Sequence, residues 1–261
     1  MKVLIGIQAR LGSTRCPGKI LEKIGPHMIV EKVLRTAYET ADFLQRDRKL
    51  EPLEVSVRLL IPDHDEELYQ MMEGRKIEYT INLGYKTLYK RKYIQTIRGP
   101  EQDVLTRYML AMKEEKADYV VRITSDCDEM PSYMPSRHLR SALKEKTDYT
   151  QNVIPTIRTA KEGYDTEVMS AKMMHWLDEN ATTKEHREHV TLAGIDYVLK
   201  NPDQFPDNAP FTVCSIIEHS DDSNVKTSKD TMAEIEVGRD NYFSKQEKIR
   251  VAKGYGKVNG D

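Results

Sequence analysis

The sequence predicts an α/β fold in which a mostly parallel central sheet is flanked by helices, and three observations carry that prediction. Short apolar runs alternate with longer amphipathic stretches along most of the 261 residues, the order in which parallel strands and crossover helices follow one another. The first apolar run opens directly into a loop dense in glycine and cations, and open α/β sheets bind ligands at the carboxyl ends of their strands. Neither a repeat nor a low-complexity linker breaks the pattern, so one domain over 1–261 is expected, with a loose tail over 245–261.

The elements follow in order. Val3 to Ile7 is a buried first strand, and Met28 to Leu44 a long helix whose Ile29, Val33, Leu34 and Ala37 share one face. Val55 to Ile61 is the second strand, ended by Pro62, and Asp65 to Gly74 a short acidic helix closed by glycine. Glu78 to Arg98 mixes Tyr, Lys and Arg without a clean period and reads as strand plus loop. Asp103 can cap a helix running to about Lys116, and Tyr119 to Thr124 is a central strand. Helices are expected over Ala171 to Asn180 and Lys184 to Lys200, a strand over Phe211 to Glu218 and a last helix over Met232 to Val237.

Composition narrows the function. With 39% hydrophobic and 31% charged residues, the chain is too apolar to be disordered and too polar to be a membrane protein. Forty Lys and Arg against 42 Asp and Glu give a net charge of -2, so any anion site is local and nucleic acid is not an expected partner. The opening apolar run is shorter than the roughly 7–15 residues of a signal-peptide core. Three scattered cysteines, Cys16, Cys127 and Cys214, lack metal spacing and suit a reducing compartment. A cytoplasmic protein without a membrane partner is expected.

The loop Gln8-Ala9-Arg10-Leu11-Gly12-Ser13-Thr14-Arg15-Cys16-Pro17-Gly18-Lys19 is the most informative segment. Gly12 and Gly18 let backbone approach a ligand, Ser13 and Thr14 offer donors, and Arg10, Arg15 and Lys19 supply cations, which together suit a polyphosphate. The spacing is neither that of a Walker A loop nor Gly-x-Gly-x-x-Gly, and a solvated basic turn would share the same composition.

These residues, from Ile7-Gln8-Ala9-Arg10 to Pro17-Gly18-Lys19, resemble the signature loop of the cytidylyltransferases that activate acidic sugars, most closely the SpsF-like branch. Further motifs are similar in the same order: Arg98-Gly99-x-Glu101-x-Asp103-Val104-Leu105-x-Arg107-Tyr108, Ala117-Asp118 through Arg122-Ile123-Thr124-x-Asp126-Cys127, Gly163-x-Asp165-x-Glu167-Val168, and Arg187-Glu188-His189-Val190-Thr191. The resemblance spans roughly residues 1 to 235. It implies a Rossmann-like nucleotide-diphospho-sugar transferase fold, CTP as substrate with Mg²⁺, and nucleotidyl transfer to a sugar, sugar acid or sugar phosphate with release of pyrophosphate. By the same resemblance Gln8, Ala9, Arg10, Gly12, Ser13, Arg15 and Lys19 hold the triphosphate, Asp103, Arg107 and Arg122 shape the nucleotide pocket, and Arg10, Lys19 and Asp126 are catalytic, Asp126 through the metal. Asp165, Glu167, Glu188 and His189 are its substrate-side candidates. Relatives of this fold often dimerise through late segments, so a homodimer is expected with it.

The sequence departs from the family twice. The family's Val-Asp-Thr-Pro-Glu-Asp, whose first Asp is a metal ligand, reads Val225-Lys226-Thr227-Ser228-Lys229-Asp230 here. Where the branch usually has proline, Asp128 creates an Asp126-Cys127-Asp128 sequence, and we expect Asp128 to replace the missing ligand. The same Asp-x-Asp would suit a metal-dependent glycosyltransferase, and Lys226 a non-catalytic nucleotide binder; both stay open here.

Three smaller constellations remain. His186 and His189 have the spacing for one metal but lack a third ligand, and Arg187 and Glu188 between them suit a solvated face. Asp165 and Glu167 would share one face of a strand. Tyr85 to Tyr93, with Lys86, Lys90, Arg91 and Lys92, interleaves rings and cations as nucleic-acid surfaces do, although such runs are ordinarily solvated edges.

Overall fold

A computed structural model describes residues 1–13, 16–152, 160–204 and 208–216. Strand β1 (Lys2–Gln8) leads through a 3₁₀ turn (Lys19–Leu21) and two short strands, β2 (Lys23–Ile24) and β3 (His27–Met28), into helix α1 (Ile29–Arg46). Then come β4 (Glu54–Pro62), α2 (Glu66–Met72), β5 (Lys76–Asn82), β6 (Thr87–Tyr93), β7 (Thr96–Gly99), α3 (Val104–Glu115) and β8 (Tyr119–Thr124). The second half holds α4 (Tyr133–Glu145), β9 (Tyr149–Gln151), β10 (Glu167–Ser170), α5 (Ala171–Asn180), α6 (Lys184–His189), α7 (Leu192–Lys200) and β11 (Val213–Ser215).

Seven of these strands form the central sheet in the order β11-β9-β10-β8-β1-β4-β7. Parallel pairing joins β8 to β1, β1 to β4, β4 to β7 and β9 to β11, while β10 runs antiparallel between β8 and β9. From β1 the chain moves outward to β4 and β7, then returns to β8 on the other side of β1. Strand order therefore reverses between β1 and β8, where doubly wound sheets open a ligand crevice at their carboxyl ends.

Each face of the sheet buries its own core. Val3, Ile5 and Ile7 of β1 point to the side covered by α1 and α4, and Leu4 to the side covered by α3 and α5. Gly6 faces that second side because nothing larger fits: a Cβ there would lie 2.4 Å from the Tyr108 ring, whose hydroxyl donates to the Gly6 carbonyl at 3.0 Å. Asp103 caps α3 as the sequence predicts, accepting from the Thr106 amide, and Asp65, read from sequence only as a helix start, caps α2 by accepting from the Leu68 amide.

Three predicted elements are corrected. The unclear stretch Glu78 to Arg98 is an antiparallel hairpin, β5–β6, followed by the sheet strand β7. Its ill-defined period arises because only β5 buries alternate residues, Ile77, Tyr79 and Ile81, against α1. The helix expected over Lys184 to Lys200 is two helices, broken at Val190. With φ 58° and ψ -67° and the Thr191 amide donating to the His189 carbonyl at 2.6 Å, Val190 is the centre of a positive-φ γ-turn, a strained conformation for a β-branched residue. Asp165 and Glu167 do not share a strand face, since β10 begins at Glu167. The expected helix over Met232 to Val237 and the tail over 245–261 lie outside the described residues. Among the described residues, no helix is long and apolar enough to cross a membrane.

Candidate active site

A cleft of about 330 Å³ opens at the carboxyl ends of β1 and β8. Gln8, Ala9, Arg10, Ser13, Lys19, Arg107, Arg122, Asp126, Asp165, Glu188 and His189 all line it, so eleven residues singled out from sequence, spread over about 180 positions, meet at one place. Thr124, Ser125, Cys127 and Glu162 complete much of the wall.

The loop after β1 is held in shape from beneath. Asp65, besides capping α2, accepts the Leu11 amide at 2.9 Å, and the Leu11 carbonyl accepts the amides of Ser13 and Gly18. Gly18 sits at φ 70°, the left-handed conformation that glycine adopts without strain. Asp65 is a positioning residue that sequence reasoning read only as a helix start. Arg107 braces the loop from the other side: its guanidinium, only 1% exposed, donates to the carbonyls of Ala9 at 3.2 Å and Leu60 at 3.0 Å. Burial lowers its pKa, yet guanidinium is basic enough to stay charged. Gly12 does not line the cleft; a Cβ there would lie 3.1 Å from a Glu101 carboxylate oxygen. Arg15 lies outside the described residues.

Charges across the cleft are paired. Lys19 Nζ lies 2.7 Å from Asp126 Oδ2, and Arg10 reaches Glu188 at 3.1 Å from the facing wall. Arg122 forms the floor, where its Nε donates to Gln8 Oε1 at 3.1 Å and its NH1 is bonded to Glu167. Glu167 also accepts the Tyr149 hydroxyl at 2.6 Å. The Glu167 carboxylate is therefore buried beneath the cleft, and its expected substrate contact gives way to holding Arg122 in place. Burial, then the Asp126 charge, pushes the Cys127 thiol well up, so Cys127 is a neutral thiol and no nucleophile.

Asp103 also lies outside the lining. It pairs with Arg187 Nε at 2.9 Å, and Arg187 further donates to Thr106 and Asp178. This clamp ties α6 to α3 and so brings Glu188 and His189 to the cleft. His186 points elsewhere, to Asp196 at 3.3 Å.

Asp128 does not join Asp126. Its side chain turns into the protein interior and pairs with Lys32 of α1, which corrects the expectation of a paired Asp-x-Asp metal site. Among the described residues, no group of three or more His, Cys, Asp and Glu is placed to hold a metal ion. Mg²⁺ commonly takes one or two carboxylates, with substrate phosphates and water supplying the rest. Asp126, with Asp165 lining the same cleft, fits a metal that arrives with a triphosphate.

A loop of cations at the reversal point of a parallel sheet, facing an aspartate at the end of the neighbouring strand, defines a nucleotidyltransferase of the Rossmann-like type. No family model matches the chain. It is 30% identical over 207 residues to an uncharacterized protein of Methanocaldococcus jannaschii, covering 78% of this chain and 70% of that one. It is also 26% identical over 201 residues to the spore coat polysaccharide biosynthesis protein SpsF of Bacillus subtilis, covering 77% and 71%. A cytidylyltransferase from Leptospira borgpetersenii serovar Hardjo-bovis shares the fold, with a TM-score of 0.66, 23% identity and coverage of 100% of this chain and 99% of that one. The chain belongs to one family with the Methanocaldococcus jannaschii protein and is similar to SpsF.

Proposed function

We propose that the cleft binds CTP with Mg²⁺ and transfers its cytidylyl group to an oxygen of a sugar, sugar acid or sugar phosphate, releasing pyrophosphate. The observation that carries this reading is the convergence of Arg10, Lys19 and Arg122 around Asp126 at the reversal point of the sheet. Three guanidinium or ammonium groups in one crevice suit a triphosphate; its entry exchanges the carboxylate partners of Lys19 and Arg10 for phosphate oxygens, while buried Glu167 keeps Arg122 in place.

In the reaction an acceptor oxygen attacks the α-phosphorus, the bond to the bridging oxygen breaks, and pyrophosphate leaves with the electron pair. Negative charge grows on the α-phosphoryl and departing oxygens, where Lys19 and Arg10 stabilise it more than in the ground state. Bound Mg²⁺ would offset part of the same charge, held by Asp126 and phosphate oxygens. A phosphate acceptor is already an anion and needs no general base, whereas a hydroxyl acceptor gives up its proton, for which the carboxylates Asp165 and Glu188 line the same cleft. The Lys19–Asp126 pair gives the ammonium a resting partner between cycles. Asp165, Glu188 and His189 face the remaining space and would meet the sugar.

The test is a pyrophosphate-release screen with Mg²⁺, each of four ribonucleoside triphosphates and a panel of sugar acids and sugar phosphates. Release with CTP and one acceptor is expected, falling at least about a hundredfold in Lys19→Met and Asp126→Asn. Turnover of a nucleotide-sugar without pyrophosphate would overturn the proposal in favour of glycosyl transfer.

A further inference from the structure

The hairpin β5–β6 has no part in the cleft. It projects between α2 and β7 as a closed insertion: the Gly74 amide donates to the Ile94 carbonyl and the Ile94 amide to the Arg75 carbonyl, both at 2.9 Å. Its inner face is anchored. Ile77, Tyr79 and Ile81 are buried, the Tyr79 ring stacks on Tyr38 at 5.7 Å, and the Tyr79 hydroxyl donates to Asp42 at 2.7 Å. Tyr38 in turn donates to the Tyr93 carbonyl at 3.2 Å. The platform is therefore fixed on α1 through both of its strands.

The outer face carries the rings. The pairing of Thr80 with Tyr89, Glu78 with Arg91 and Lys76 with Tyr93 places Tyr89, Arg91 and Tyr93 in a row opposite the buried side. Tyr89 is 85% exposed, Tyr93 61%, and Tyr85 at the turn 88%. Side chains on one strand face recur about every 6.6 Å, so the row offers a ring, a guanidinium and a ring at even spacing. Residues 75–93 hold six Lys and Arg against the single carboxylate Glu78, in a chain whose net charge is -2. Glu78 pairs with Lys76 at 2.9 Å and Arg91 at 3.4 Å, and Arg75 with Glu31 at 2.8 Å. Lys86 adds positive charge at the turn, and Lys90 and Lys92, which alternate with the rings and so project from the other face of β6, add it along that strand's outer edge.

We propose that this hairpin is a binding platform for single-stranded nucleic acid. Unpaired bases stack on Tyr89, Arg91 and Tyr93 while the flanking lysines meet phosphates, a division of labour that needs one flat group and one cation per nucleotide. A paired duplex keeps its base faces stacked on one another and cannot use the rings. A second copy of the chain is a poor occupant of the β6 edge, because antiparallel self-pairing about Arg91 would set Arg91 against its own copy and Lys90 against Lys92.

The test is fluorescence anisotropy of the full chain with a labelled oligodeoxythymidine of about 16 nucleotides. Binding is expected that weakens as salt rises from about 50 to about 200 mM. Tyr89→Ala and Tyr93→Ala should each weaken it roughly tenfold or more, and Tyr→Phe at either position should preserve it. Lys86→Gln, Lys90→Gln and Lys92→Gln together should reduce the salt slope by about 2. CTP binding by all these variants should match the unmodified chain, which also reports that they fold. Three results would each overturn the proposal: no binding at the lower salt, equal binding to the matching duplex, or binding untouched by both alanine variants. The last would mark the hairpin as a charged surface without base recognition.

Discussion

Glu167 shows how one side chain changes role between sequence and structure. Its neighbours in the chain place it among substrate candidates, yet its partners are Arg122 and Tyr149, which come from two other strands. Removing the negative charge leaves the Arg122 guanidinium buried without its counterion, which typically costs 3–5 kcal/mol. Glu167→Gln is therefore expected to lower stability by about 3 kcal/mol in urea unfolding. Arg122→Met combined with Glu167→Gln should cost less than the sum of the single changes, because the double variant strands no charge. Additive losses would show that the two groups act separately. The same logic explains which site residues were legible. Arg10, Lys19 and Asp126 sit in motifs whose chemistry is local, a cation-rich loop and a carboxylate at a strand end. Asp128 sits beside them in sequence but is claimed by Lys32, 96 positions away, and nothing in the local pattern names that partner.

At the scale of elements, strands and helices with strong periodicity were readable to within a residue or two: β1, β8, α3 and α5 lie where apolar spacing and caps put them. The failures have physical causes. Among the described residues the hairpin pairs with no other strand and buries one face of one strand, which dilutes its period, and the break after α6 is made by a valine in a conformation that sequence statistics assign to glycine. Asp103 joins both kinds of knowledge, since it caps α3 and anchors α6 through Arg187. Asparagine caps a helix about as well as aspartate but carries no charge. Asp103→Asn should therefore keep α3 intact, with faster hydrogen exchange in the Lys184–His189 amides and a raised KM for CTP. Asp103→Ala should lose about 1 kcal/mol more stability than the asparagine variant. Equal stability of the two variants would show that the cap contributes little.

For the molecule as a whole, the layered core carries an acid-sensitive point away from the cleft. His138 on α4 is fully buried where that helix packs against α1 and the sheet strands β9 and β10. Its Nδ1 is bonded to the Met134 carbonyl at 2.8 Å, its Nε2 has no hydrogen-bond partner among the described residues, and burial holds its pKa down at about 4. In the unfolded chain the same imidazole titrates near 6.5. Between these values the unfolded state binds a proton that the folded state refuses, so folding stability falls as pH drops from about 6.5 towards about 4. Below that window both states are protonated and the effect levels off, after a total loss of about 3 kcal/mol from this group. His138→Leu removes the titration while keeping an apolar side chain in the core. Urea unfolding at several pH values should show the stability of the variant falling less steeply than that of the unmodified chain within this window, by up to about one proton. Parallel curves would mean that His138 accepts its proton inside the folded core, and that acid loss of the fold begins at its carboxylates instead.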